Sequence, residues 1–84
     1  MKEYICRTCG LEYQTPTWED EGSASYDICN CCEVEFGIQD NTYKGVLEYR
    51  KKWLDSGALW ADSKMKPKEW DLEKQLKNIP EKWK

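Results

Sequence analysis

Two nine-residue stretches constrain this chain more than anything else in it. ICRTCGLEY (Ile5 to Tyr13) and ICNCCEVEF (Ile28 to Phe36) are one pattern met twice, offset by 23 residues. Ile5 aligns with Ile28, Cys6 with Cys29, Cys9 with Cys32, Leu11 with Val34, Glu12 with Glu35, and Tyr13 with Phe36. The chain has five cysteines, and the repeat pairs four of them. Cys31 is left over, because its counterpart is Thr8.

A cysteine three residues after another, across a tight turn, puts both sulfurs on one side, where they can grip one tetrahedral ion. Two such turns predict a closed four-thiolate site of Cys6, Cys9, Cys29 and Cys32, holding one zinc per chain; iron suits the same ligand set. Gly10 fits the first turn, since the residue after the second cysteine often needs a positive φ. Glu33 in the equivalent place predicts a strained or differently shaped second turn. Cys31 adjoins Cys32, and neighbours in a turn point different ways, so Cys31 is expected to be a packed or partly exposed free thiol. A site using Cys31 and sparing Cys32 is the alternative, and the repeat disfavours it.

The odd cysteine count also argues against a closed disulfide framework. The chain has no histidine. A catalytic zinc keeps an open position beside His, Glu or Asp ligands, so four thiolates predict no catalytic metal centre and no enzyme. A thiol enzyme using Cys31 would lack a histidine base, and the tryptophan-rich chain leaves little room for a catalytic pocket.

The metal also answers a size problem. A chain of 84 residues buries only about 60% of the surface its unfolded form exposes, and needs a staple. The expected fold is a small α+β metal-stapled domain: zinc-ribbon β-hairpins followed by one long and one short helix. Residues 1–84 read as a single domain, with 1–39 the zinc-ribbon-like metal-binding half and 40–84 the helical half packed on it. No apolar run approaches the ~20 residues of a membrane span, and the start MKEYICRTCG shows no secretory core. Paired Cys-x-x-Cys motifs then suggest a reducing cytoplasm.

Leu11 and Tyr13, and again Val34 and Phe36, alternate with outward glutamates, which predicts half-exposed strands after each cysteine turn. Between them PTWEDEGSASYD reads as an exposed loop. Its acidic run lacks the ligand spacing of a calcium loop, and is read as a solvated turn. From Asp40 the period changes. Capping residues Asp40 to Thr42, then Tyr43, Val46, Leu47, Arg50, Trp53 and Leu54 at helical intervals, predict an amphipathic helix over 42–56 closed by Gly57. Trp53 and Leu54 are expected against the ribbon. A second short helix is predicted from Asp71 to about Asn78. Of five tryptophans, Trp53, Trp60 and Trp70 are expected in the core, and Trp18 and Trp83 at a partner surface.

These residues also carry a resemblance. YICRTCGLEY, EGSASYDICNCCEVEFGIQD, YRKKWLDSGALW and PKEWDLEKQLKNI resemble small bacterial cysteine-rich proteins of CPCC type, over nearly the whole chain. That family's second turn usually reads Cys-Pro-Cys-Cys-Gly, and here Asn30 and Glu33 replace the proline and the glycine. The resemblance implies a small cytoplasmic metal-binding protein and says almost nothing of its role.

Charge is divided unevenly. Residues 1–42 carry two basic and nine acidic side chains, net −7; residues 43–84 carry eleven and seven, net +4. The simplest reading is that the two halves dock with complementary charge. The functional expectation is a noncatalytic zinc protein that binds another protein. The alternative is a nucleic-acid-binding zinc ribbon using Lys44, Arg50, Lys51, Lys52, Lys64, Lys66 and Lys68. It ranks lower because the chain is acidic overall and four thiolates on Zn²⁺ add a charge of about −2. An immunity or antitoxin role would also suit a small acidic binding protein.

Overall fold

Thr42 begins the longest element. Its hydroxyl accepts from the Gly45 amide, satisfying a donor that a helix start otherwise leaves orphaned. The helix α1 spans Tyr43–Asp55 in the computed structural model, which describes residues 1–84. Val46 and Trp53 are buried on its inner face, with Tyr49 and Arg50 half-buried between them. Tyr43 and Leu54 were expected on that stripe and are instead 48% and 37% exposed. The chain reverses directly after α1, which narrows the packed face. Gly57 takes φ +104, Ala58 donates to the Trp53 carbonyl, and the Trp53 indole donates to the Leu59 carbonyl. Asp40, read as a capping residue, is instead fully buried, where its carboxylate accepts from the Gly37 amide and the Trp18 indole.

The second helix, α2 (Leu72–Lys77), is capped by Asp71, whose carboxylate accepts from the Lys74 amide. Two 3-10 turns, Ser63–Met65 and Glu81–Trp83, fill the rest of the C-terminal half. No helix is long and apolar enough to cross a membrane.

The β structure departs from expectation. The regular strands, β1 (Trp18–Asp20) and β2 (Ser23–Ala24), form an antiparallel pair within the segment read as a loop. Glu3 bridges to Trp18 on the other side of β1. The cysteine turns, expected to open β-hairpins, each close with a single bridge, Ile5 to Glu12 and Ile28 to Glu35. Local backbone chemistry stops both ladders. In the first the chain bends at Gln14 and Thr15, so that Thr17 donates to the Glu3 carbonyl, and in the second Gly37, at φ +98, turns the chain so that Ile38 donates back to the Glu35 carbonyl.

Trp18 is also corrected. It is only 4% exposed, and its ring lies 3.9 Å from the Arg7 guanidinium carbon. The Trp83 ring centre lies 4.0 Å from the same guanidinium carbon. Arg7 is 4% exposed, and each of its three nitrogens donates one hydrogen bond: Nε and Nη2 to the Glu3 carboxylate at 2.9 and 2.6 Å, and Nη1 to the Asp40 carbonyl at 2.8 Å. A planar guanidinium can be stacked against aromatic rings and hydrogen-bonded at its edge at once, and this makes a buried arginine tolerable. Two tryptophans that read as anchors for a partner therefore serve, at least in part, an internal arginine. Trp53 is buried as expected, while Trp60 and Trp70 are half-buried and meet edge to face at 5.7 Å.

Charge complementarity does not join the halves. The ion pairs are Lys2–Glu19, Arg7–Glu3, Lys44–Glu48, Lys51–Asp55 and Lys84–Glu81, and none crosses from residues 1–42 to 43–84. Hydrogen bonds to backbone make the join. Arg50 on α1 donates to the carbonyls of Thr8 (2.7 Å), Arg7 (2.9 Å) and Trp83 (2.6 Å). The Tyr49 hydroxyl donates to the Cys32 carbonyl, and Gln75 of α2 donates to the Cys9 carbonyl. Carbonyls left over by the tight cysteine turns are thus satisfied from the helices.

Candidate metal centre

The repeat is reproduced in backbone geometry. In the first turn the Gly10 amide donates to the Cys6 carbonyl at 3.0 Å, and the Cys6 amide donates to the Leu11 carbonyl at 2.9 Å. In the second, Glu33 donates to Cys29 at 3.0 Å, and Cys29 donates to Val34 at 2.8 Å. Gly10 has φ +87 and Glu33 has φ +69. The second turn therefore has the same shape as the first, and Glu33 carries the strain of a left-handed conformation that glycine adopts freely.

This pair predicts opposite responses to substitution. At Gly10 a Cβ would lie 2.1 Å from the Gln75 carbonyl oxygen, a contact no side chain tolerates. Gly10→Ala should lower stability by more than about 2 kcal/mol, combining left-handed strain with displacement of α2. Glu33→Gly should raise it by up to about 1 kcal/mol. Thermal melts of the two variants check both signs.

The turns bring Cys6, Cys9, Cys29 and Cys32 together, all buried, with the four Sγ atoms within 4.8 Å of one another. Cys6 and Cys32 sulfurs are 3.6 Å apart, and Cys9 and Cys29 sulfurs 3.7 Å. A disulfide would need about 2.05 Å, so these are free thiols. A tetrahedron of sulfurs at a Zn–S distance of about 2.3 Å has edges of about 3.8 Å, close to both separations. The two close pairs exchange under the repeat, so the cluster has an approximate two-fold. Tyr13 and Phe36, also equivalent in the repeat, meet edge to face at 5.7 Å.

Electrostatics makes the case for a cation. Burial pushes the Cys9 and Cys32 thiols well above their ordinary range. Hydrogen bonding from Cys32, and then from Cys6 and Cys9, holds Cys29 well below it. Four thiolates here would be an uncompensated buried charge, which a dication offsets. Two hydroxyls attend the sulfurs. Thr8 Oγ1 lies 2.8 Å from Cys32 Sγ and 3.2 Å from Cys6 Sγ. The Tyr13 hydroxyl donates to Cys29 Sγ at 3.2 Å while accepting from the Asn30 amide at 3.0 Å. Burial, and then the adjacent Cys29, pushes Tyr13 up, so it remains a donor. Such outer hydrogen bonds orient metal ligands and tune their charge.

Cys31 stands outside this group of four. It is fully buried, its Sγ accepts from Gln75 Nε2 at 3.4 Å, and its carbonyl accepts from the Ala61 amide. Gln75 is fixed in turn by the Trp70 indole, which donates to Oε1 at 2.7 Å. Of the two expectations for Cys31, packed or partly exposed, the structure has the packed one. No route from solvent reaches this thiol, which reactivity requires.

Thr8, Tyr13, Arg50 and Gln75 support the centre and were not singled out for that role by the sequence. The repeat held a signal for two of them: Thr8 and Tyr13 are the positions where one copy is hydroxylated and the other is not. Of the basic residues proposed for nucleic acid, Arg50 is occupied by three carbonyls, Lys44 and Lys51 are paired along α1, and Lys66 lies 5.2 Å from the Trp70 ring centre. Surface room exceeds expectation: a groove of about 480 Å³ beside Cys32 is lined by Tyr49, Trp53, Leu59 and Trp60, among others.

The sequence has relatives. It is 32% identical over 93 residues to the uncharacterised protein YoaQ of Bacillus subtilis (strain 168), covering 92% of this chain and 74% of that one. The chain belongs to the YoaQ family. It is also 28% identical over 85 residues to the uncharacterised protein YozI of the same organism, covering 81% of this chain and 70% of the other. No family model and no solved structure matches it. The YoaQ family is thus found in bacteria, as the sequence resemblance implied.

Proposed function

We propose that this chain is a noncatalytic zinc protein of zinc-ribbon-like and CPCC-type character, working in the cytoplasm by binding another protein. One observation carries the metal reading: four buried sulfurs, supplied by two turns with the same backbone hydrogen bonds, at separations suited to tetrahedral thiolate coordination. Four thiolates fill such a site, leaving no position for substrate or activated water, which supports a structural role. The hydroxyls of Thr8 and Tyr13 suit thiolate ligands as donors. Zinc is the proposed ion because it is the usual occupant of closed four-cysteine sites.

Native mass spectrometry of the full chain, purified without added metal, tests this. One zinc per chain is the expected result. A visible absorption band from iron bound to thiolate would replace zinc with iron. A metal-free folded chain would end the proposal.

A further inference from the structure

The two cysteine turns are alike in backbone but not in what lies outside them. In each, the residue before the first cysteine faces a glutamate across the single bridge: Ile5 and Glu12 in the first turn, Ile28 and Glu35 in the second. The outer face of the first is flanked by the chain's own C-terminal segment. Ile5 and Glu12 line a cavity of about 430 Å³ together with Tyr4, Pro80 and Lys82, and Ile5 is half-buried. The second has no such neighbour. Ile28 is 58% exposed, and Tyr26 and Ile38 beside it are 57% and 53% exposed.

Tyr26 and Ile28 share one face, and Ile38 continues from it toward the start of α1, where it lines a cavity with Thr42, Glu48 and Lys52. The antiparallel bonding that pairs Ile28 with Glu35, and Asp27 with Phe36, places Tyr26 beside Gly37 on the outer side, with Phe36 buried on the inner. The Tyr26 ring closes over Gly37, where a Cβ would come within 2.8 Å of it. Ile38 follows in the same turn. Tyr26 has φ +63, a conformation costly for an aromatic residue. Held strain with an exposed ring is a pattern met at binding surfaces.

The charge carried by this part of the chain has one sign, and Lys52 of α1, which lines cavities with Ile38 and Glu33, is a basic neighbour from the other half. Residues 8–43 contain eight acidic and no basic side chains. Asp27, Glu33 and Glu35 take part in no ion pair, and no pair crosses from the basic half to compensate them. The chain's unequal charge is thus unspent at this face.

We propose that Tyr26, Ile28 and Ile38, framed by Asp27, Glu33 and Glu35, form a docking surface for a basic protein segment presenting an aliphatic or aromatic side chain among lysines or arginines. The first turn shows the chemistry in miniature, since an apolar residue and a lysine (Pro80 and Lys82) stand beside its isoleucine and glutamate. Apolar contact would provide the anchor, and the carboxylates would steer and select. This inference rests on the protein-binding reading above and names the class of partner.

Selection of a random displayed peptide library on the zinc-loaded full-length chain tests it. Enriched peptides should combine Lys or Arg with a large apolar residue, and lose affinity as salt rises. Ile28→Ser and Ile38→Ser should each weaken binding of those peptides about tenfold. Tyr4→Ser, at a residue 41% exposed beside the first cysteine turn, should leave it unchanged. Near-UV spectra and zinc content confirm that each variant is folded. Acidic or purely apolar winners would overturn the proposal, as would no enrichment on a folded, zinc-loaded chain. Peptides insensitive to both isoleucine variants would overturn this surface yet leave a protein-binding role standing. Self-association of the wild type, abolished by Ile28→Ser, would assign the face to a second copy and overturn the basic-segment partner.

Discussion

Treating the folded chain with a strong chelator at neutral pH is expected to abolish its near-UV tryptophan signal, and returning zinc is expected to restore it. The hydrophobic core is a cluster of nine buried residues, and five of them are cysteines. Without an ion, its centre is a set of buried sulfurs held together by weak sulfur–sulfur contacts of 3.6 and 3.7 Å. Structural zinc contributes roughly 10–16 kcal/mol of apparent binding free energy in small finger peptides. A domain's whole stability is about 5–15 kcal/mol. The first term is large enough to decide whether the chain folds. Tryptophan is a suitable reporter because Trp18 stacks on Arg7, the residue next to Cys6, and Trp53 belongs to the core cluster. An unchanged spectrum after verified loss of metal would sink the idea.

The second large effect separates Cys31 from its neighbour. Cys32→Ser should lose the metal or bind it far more weakly, since three thiolates leave a coordination position open. It also disturbs Thr8, whose hydroxyl lies 2.8 Å from the Cys32 sulfur. Cys31→Ser should keep one zinc per chain and a native-like spectrum. A serine hydroxyl can accept from Gln75 as the sulfur does, so the expected cost is that of a small polar change in the core, about 1–2 kcal/mol. Metal content of the two purified variants decides it. The reverse result, with Cys31→Ser losing metal and Cys32→Ser keeping it, would mean that Cys6, Cys9, Cys29 and Cys31 are the ligands.

Much of this was legible in the sequence because it is local. The i, i+3 cysteine spacing and the glycine at position 10 specify a turn whose hydrogen bonds span five residues, and no distant contact is needed to read it. The same holds for the helices. Thr42 and Asp71 cap them through hydrogen bonds three residues long, so the predicted helices over 42–56 and from Asp71 to Asn78 lie within a residue or so of α1 and α2. The repeat identified the four cysteines that assemble, since two copies of one turn can face each other across an approximate two-fold.

What required the tertiary structure was everything set by partners far along the chain. The fate of Trp18 depends on Arg7, Asp40 and Trp83, a grouping no periodicity reveals. The strands formed at β1 and β2, because a bend at Gln14 and Thr15 and the turn at Gly37 end the ladders that the alternating pattern announced. Composition suggested two halves drawn together by charge. Geometry instead joins them through Arg50, Tyr49 and Gln75 to backbone carbonyls, because carbonyls stranded by tight turns are costly to leave buried and unpaired, whereas exposed carboxylates remain solvated at little cost. Alternation and charge balance describe what a chain can do anywhere. Which donor reaches which stranded carbonyl is fixed only once the two cysteine turns hold the backbone in place.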